Sequence, residues 1–318
     1  MKMNHIRDVI EVAARGSLRS AARHLGVAQP AITRSIRELE HELGVALFER
    51  RVTGMVLTGM GKAFLRRASA IQLELDRAKD EIDQLKGIGT GTVAVGLSTA
   101  SHVALLPRVL RPFEDRYPDV KLRISEGLFP VMEAGVQDGS IDFYVGPLAE
   151  DSVASEFVIE KLFDNKRVIV GRKNHPLAAA KSLADLKHAK WVTTSVTISS
   201  KAELDPVFEH FGLGRPTIAV QAQTALSIIA VAAYSDCLAM LPQQWLEFVN
   251  TTNLLQRIAV REELAAPTMF MVHRARLPLT PAAEYLCDLF RRAAIQLVKS
   301  PATNKAARRT KPSSVRSR

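Results

Sequence analysis

Cysteine is nearly absent: the 318 residues hold two, Cys237 and Cys287. That count excludes a disulfide framework, and with eight histidines no structural zinc spacing is legible. Both cysteines lie in apolar runs, YSDCLAML and EYLCDLF, the setting of buried core thiols. A thiol-redox switch through Cys237 and Cys287 is an alternative, but neither has the basic neighbour or resolving partner that lowers a thiol pKa. Long apolar runs are missing too, so no segment is expected to span a bilayer. The N-terminal MKMNHIRDVIEVAARG lacks a signal peptide's continuous apolar core and small-residue cleavage site, and a cytoplasmic location is expected. No nucleophile–base–acid cluster surrounds His102 or His273, so no catalytic residue is assigned. The missing cluster argues against an α/β enzyme, and the missing leader against a solute-binding protein. Neither cofactor nor metal is expected.

Acid is missing from one place in particular. Residues 299–318 hold seven Lys/Arg and no Asp/Glu, whereas residues 1–60 hold nine Lys/Arg against six acids. The net charge of +10 therefore comes mostly from the tail, and the middle of the chain is neutral. The high isoelectric point says little about a nucleic-acid surface, and that case has to rest on a motif. The tail itself reads as disordered, with nonspecific attraction to DNA one reading of its charge.

Such a motif lies at Ser17–Glu40, SLRSAARHLGVAQPAITRSIRELE. Leu18, Ala21, Ala22 and Leu25 recur at helical spacing. Gly26 supplies a positive-φ stop. A second helix starts near Gln29-Pro30, where proline's missing N–H costs nothing. Ile32, Ile36 and Leu39 give it an inward stripe. Pro30, Thr33, Arg34 and Arg37 lie roughly opposite, with Gln29 at the tip. A recognition helix enters the major groove tip first. Glutamine pairs with adenine there, and arginine with guanine or phosphate. An ordinary helical hairpin with a solvated basic face is the plainer reading; the turn, the small residues and the polar tip together favour DNA binding.

At these residues the chain resembles the LysR-type transcriptional regulators. The shared run comprises Ser20-Ala21-Ala22, Leu25, Gln29-Pro30-Ala31, Ile36, Leu39-Glu40, Leu43-Gly44 and Leu47-Phe48-Glu49-Arg50. Ala28 stands where a capping Ser is usual, and Thr33 replaces a frequent Ser. The resemblance implies a winged helix-turn-helix domain, all-α apart from its wing, over residues 1–58. A dimerising linker helix (59–86), a hinge (87–91) and a two-lobed, periplasmic-binding-protein-like α/β effector domain (92–298) would follow. Lobe I would span 92–161 and 268–298, lobe II 162–267, with crossings near Leu162-Phe163 and Pro267-Thr268. It also implies a homotetramer, a dimer of dimers, that contacts promoter DNA and RNA polymerase on the nucleoid.

Taken in order, a helix is expected over 4–14. The segment LFERRVTGMVLT (47–58) then reads as a hairpin wing, with Arg50 and Arg51 at its base and Thr53 near its tip as phosphate or minor-groove contacts. Thr58 caps a long helix whose Phe64, Ala68, Ile71, Leu75, Ala78, Ile82 and Leu85 alternate in steps of four and three, a heptad seam suited to a second copy. A helix lying on its own domain is the plainer alternative. Lys86–Gly91 breaks this helix as a hinge; its lysine precedes the glycines, so it is no phosphate loop.

From Thr92 strands and helices alternate, which predicts a mainly parallel sheet. Strands are expected at 93–97, 120–124, 141–146, 167–171, 191–194, 217–221, 238–241 and 269–272. Helices are expected at 102–116, 129–138, 201–212, 224–233, 242–248 and 281–298. Ligands of such sheets sit beyond strand carboxyl ends. The candidate effector site is therefore Ser98, Thr99, Ala100 and Ser101, with Gly146, Pro147, Thr194, Ser195 and Thr197, and with Phe129 and Thr224 beside them. Hydroxyls at helix starts favour an anionic ligand, an organic acid or sulfonate, although each could simply cap its helix.

Overall fold

The computed structural model describes residues 1–52, 54–148, 155–193, 201–222, 224–246 and 253–299. The N-terminal head consists of α1 (Met3–Arg15), α2 (Leu18–Leu25), α3 (Gln29–Leu43) and a hairpin of β1 (Phe48–Arg51) and β2 (Gly54–Leu57). Its core joins Val9 and Val12 of α1, Ala21 and Ala22 of α2, and Ile32, Ile36 and Leu39 of α3. The alanines lie on the buried side of α2, so the helices approach closely there. Leu47 and Phe48 close this core from the hairpin side.

Helix α4 (Gly59–Leu85) leaves the head. Thr58 Oγ1 accepts the Gly61 N–H at 2.9 Å and donates to the Ala46 carbonyl at 2.8 Å, tying the helix start to the chain before the hairpin. Phe64 and Leu65 pack on the head core.

The effector region follows. Its first half holds β3 (Gly91–Leu97), α5 (Thr99–Ala104), α6 (Leu106–Arg116), β4 (Val120–Glu126), α7 (Phe129–Asp138) and β5 (Phe143–Pro147). Next come β6 (Phe157–Arg172), a 3-10 turn (Leu183–Leu186), β7 (Lys190–Thr193), α8 (Lys201–His210), β8 (Thr217–Gln221), α9 (Ala225–Tyr234), β9 (Cys237–Pro242) and β10 (Leu255–Ile258). Strand β11 (Ala265–Arg274) and helix α10 (Pro281–Lys299) end the described chain. The strand order is β4-β3-β5-β11-β6-β9-β7-β8, with β10 also on β6.

The sheet is mixed rather than mainly parallel. Strand β3 pairs in parallel with β4 and β5, and β7 with β8 and β9. The pairings made by β6 and β11 are all antiparallel. Strand β6 begins ten residues before the expected 167–171. Residues 157–166 pair with β11 and 167–170 with β9, so one strand serves both lobes. The β6–β11 register shifts between Ala266 and Met269. Separate cores fill the first lobe, around Phe143, Phe163 and Phe290, and two sides of the second, around Val170 and Trp191.

The expected helix over 102–116 is two helices, α5 and α6, which bend apart at Leu105. Pro107 lacks an N–H for the Val103 carbonyl, and its ring crowds that carbonyl, which favours a break here, although α6 accommodates Pro112 in its interior. Strand β10 is an addition to the expected strands: LQRI is four residues with no clear alternation. The last residues of the expected 242–248 helix, and the tail after Lys299, lie outside the described residues.

Candidate DNA interface and effector cleft

Ser17 caps α2 by accepting the Ser20 N–H at 3.0 Å, and Gly26 ends it with φ 66°. Ala28 precedes α3 without a side-chain cap, as its missing hydroxyl requires. The outward face of α3 carries Gln29, Pro30, Thr33, Arg34, Arg37 and Glu38 around one open groove. Gln29, Pro30, Arg34 and Arg37 are exposed, and neither guanidinium has a partner among the described residues. Thr33 is half-buried, and its hydroxyl donates to the Gln29 carbonyl at 3.1 Å. Its proton is therefore committed to the helix, which leaves the hydroxyl oxygen as an acceptor.

The wing differs from expectation in one respect. Arg51 pairs with Gly54 and Arg50 with Met55, so both arginines flank the turn rather than the hairpin base, which is the Phe48–Leu57 pair. Arg51 is held by Glu49 at 2.9 Å. Thr53 lies outside the described residues. The sequence reading gave no role to Glu40. Its carboxylate accepts the N–H groups of Leu47 at 2.7 Å and Phe48 at 3.1 Å, fastening the hairpin start to α3. Its placement one residue after the buried Leu39 was the available signal. The Met55 N–H donates to the Gly16 carbonyl at 2.7 Å, which seats the wing on the end of α1.

The seam of α4 divides in two. Phe64 is half-buried on the head core and Ala68 is fully buried. Beyond them Ile71, Leu75, Ala78, Ile82 and Leu85 are exposed, with Leu85 at 68 %. A different face of the helix touches its own effector region, and the contacts described there are polar: Glu74, Arg77, Asp80 and Gln84.

Near the carboxyl end of β3, Ser98 and Ser101 are buried. Ser101 Oγ donates to the Val145 carbonyl at 2.8 Å, so in its 3.0 Å contact with Ser98 Oγ the proton comes from Ser98. Both hydroxyl protons are spent internally in this arrangement. Thr99 donates to Glu126 at 2.7 Å, and Ala100 is buried in the first-lobe core. Gly146 is buried and Pro147 half-buried at the end of β5. Phe129 does not line an open cleft: it is 1 % exposed, with ring centroids 5.4 Å from Tyr144 and 5.7 Å from Phe157. Thr224 is exposed and caps α9 through the Ser227 N–H. Thr194, Ser195 and Thr197 lie outside the described residues; Thr193, just before them, is buried. Val103 of α5 packs against the second-lobe core, so the two lobes meet across this helix.

Two family descriptions match. Residues 3–62 match the bacterial regulatory helix-turn-helix protein, lysR family, and residues 86–295 match the LysR substrate binding domain. The chain belongs to the LysR family. It is a DNA-binding transcriptional regulator with a substrate-binding domain. It is 25 % identical over 288 residues to the HTH-type transcriptional regulator TdcA of Escherichia coli (strain K12), spanning 91 % of this chain and 92 % of that one. It is 31 % identical over 227 residues to the HTH-type transcriptional regulator PcaQ of Agrobacterium fabrum, spanning 70 % and 72 %. Its fold is similar to CbnR, a LysR family transcriptional regulator, with TM-score 0.65 at 22 % identity over 92 % of this chain and 99 % of that one. Full-length CbnR complexed with its target DNA gives TM-score 0.67 at 23 % identity, over 92 % and 100 %.

Elsewhere this LysR-family chain offers little reactive chemistry. Cys287 is fully buried in the first lobe, and burial pushes its thiol well above the ordinary range, against thiolate formation. Cys237 belongs to a second-lobe core, and both cysteines are free. The redox alternative gains no support from two thiols in separate cores. His102 and His273 each place Nδ1 against a backbone carbonyl, of Ser98 at 3.1 Å and of Arg274 at 3.0 Å. Among the described residues no group of His, Cys, Asp and Glu could hold a metal ion, and no helix is long and apolar enough to cross a membrane.

Proposed function

We propose that this LysR-family protein reads operator DNA with Gln29, Pro30, Thr33, Arg34 and Arg37, braced by Arg50, Arg51 and Thr53 on the wing. The observation that carries the reading is the pair of guanidinium groups of Arg34 and Arg37 beside Gln29, exposed on the outward face of α3 and without a partner among the described residues. An unpaired guanidinium meets guanine or phosphate without first breaking an ion pair. Two copies would join along the exposed seam of α4, and the dimers would pair through the effector domains. In this reading the head ends near Thr58, and the chain crosses between lobes where the β6–β11 register shifts.

The effector is a small organic acid bound between the lobes. The ends of β3, β5 and β7 and the capped start of α9 support that placement, since N–H groups at a helix start favour an anion. With the Ser98 and Ser101 protons already committed, ligand binding there exchanges an internal hydrogen bond for one to the ligand. Ligand would act by changing DNA geometry and polymerase contact.

The test is a gel-shift titration on the upstream region of the protein's own gene. Arg34→Ala should weaken binding by about 1–3 kcal/mol and relax preference at one base position if Arg34 bonds a base edge. Unchanged affinity together with unchanged preference would remove Arg34 from the interface.

A further inference from the structure

The four charged side chains between α4 and the first lobe point to a positioning device. Arg77 of α4 donates to Asp142 Oδ1 at 2.6 Å and also to the Gly139 carbonyl. Its other terminal nitrogen donates to Glu74 at 2.6 Å, and Arg274 donates to the same Glu74 oxygen at 2.7 Å. The second Asp142 oxygen accepts the Ala94 N–H at 2.7 Å. Two cations and two anions thus balance in one cluster, and three of the four side chains are little exposed: Asp142 5 %, Arg77 11 % and Arg274 14 %. Gly139 stands over it with φ +84°; a Cβ there would come within 2.5 Å of Arg77 Nη1 and 2.9 Å of Arg274 Nη1. The lobe therefore leaves room where two guanidinium groups enter together.

The placement of the partners gives the cluster a reach beyond fastening. Asp142 immediately precedes β5, whose far end is Gly146-Pro147 at the cleft. Arg274 ends β11, whose other end carries the register shift beside the crossing. Both strands run from the cleft to the linker helix. Asp80 and Gln84 continue the same polar face, accepting the N–H groups of Thr92 at 3.3 Å and Ala282 at 2.9 Å. By the 100° repeat this face lies roughly 120° around α4 from the exposed apolar seam, so one helix can serve a second copy and its own lobe together.

We propose that Glu74, Arg77, Asp142 and Arg274 form a latch that sets the angle of the linker helix, and with it the DNA-binding head, relative to the effector domain. The helix is about 40 Å long, so a swing of about 10° at its hinge end carries the head end by about 7 Å. Releasing the latch changes the spacing of heads in the assembly without altering a residue that faces DNA. A ligand shifts this angle to the extent that it favours one arrangement of the lobes over another.

The test uses the full chain and two variants. Arg77→Ala removes the hub; Glu74→Ala removes the oxygen that both arginines share while leaving Asp142 paired, so it reports even where the first variant misfolds. Small-angle X-ray scattering without ligand or DNA should give a larger radius of gyration for both, and Arg77→Lys should return toward the wild-type curve. Bend angles from circularly permuted upstream fragments should shift in the same variants. Wild-type scattering curves in both variants, or an unchanged bend beside changed scattering, would overturn the latch. The scattering arm is independent of the proposed DNA and ligand contacts. Failure of the wild-type protein to bind its upstream region would instead fault the reading of α3.

Discussion

Gly61 marks a place where one hydrogen atom decides whether two parts of the head fit. A Cβ at this position would lie 2.0 Å from the Leu47 carbonyl oxygen and 2.9 Å from its carbon. Helix propensity alone favours alanine over glycine by about 0.8–1 kcal/mol. The obstacle is backbone, which yields less readily than a side chain, and overpacking costs about 1–3 kcal/mol. The clash should win. Gly61→Ala is expected to lower the melting temperature of the head, followed by far-UV circular dichroism. A melting temperature equal to or above wild type would show that the α4–Leu47 contact yields more easily than its geometry indicates. Glu74 and Asp142 show environment acting in opposite directions on two carboxyls of one cluster. Burial opposes ionisation of Glu74, but hydrogen bonds from Arg274 and Arg77 outweigh it and hold its pKa below the usual range. At Asp142 burial dominates, and the pKa is raised despite Arg77 and the Ala94 N–H. Stabilisation from Glu74 is thus lost as pH falls through its lowered value. The ionisation of Asp142 costs stability as pH rises above the ordinary aspartate value.

Among the elements, α4 has the plainest division of labour. Its first turns belong to the head core, its polar face to the first lobe, and its remaining apolar stripe is exposed, covered by none of the described residues of its own chain. Ile71, Leu75 and Ile82 are 40 %, 38 % and 51 % exposed, at the spacing of a coiled-coil seam. A charge in the middle of that seam would be desolvated in a paired helix and harmless in a lone one. Ile82→Asp should therefore shift sedimentation equilibrium toward smaller species while leaving the circular dichroism spectrum unchanged. If the mass distribution stays at that of wild type, the seam is not the interface. The heptad was legible because its apolar residues alternate locally. Which part of it the head would consume was not, because that depends on how Phe64 meets the core of α1–α3.

At the scale of the whole molecule, the two lobes share β6, and α5 spans the gap between their cores. A ligand held between the lobes stabilises the native chain by mass action, about 2.7 kcal/mol at one hundred times its dissociation constant. Thermal-shift measurements on the full chain with a panel of organic acids and their neutral amides should raise the melting temperature with an acid and not with its amide. An amide that protects as well as its acid would exclude an anionic effector.

The local sequence determined the helix-turn-helix, the long linker helix and the alternation beyond Thr92, because each is written in the spacing of neighbouring residues. Ile32, Ile36 and Leu39 need only a helical period to share a face, and Gly26 only a positive φ to end a helix. The break before Pro107 is equally local, a proline at the start of α6. The tertiary structure alone decided the rest. Strand β6 carries exposed Asp164 and Lys166 between buried residues, and its length follows from pairing with β11 and β9 in turn. Arg50 and Arg51 reached the turn end of the wing because register, not composition, aligns them with Met55 and Gly54. Arg77 meets Asp142 across 65 residues, Glu74 meets Arg274 across 200, and Gln84 caps Ala282 across 198. A polar residue on a helix carries no local mark of a partner so distant; its choice between solvent and a buried ion pair is made only when the domains fold against one another.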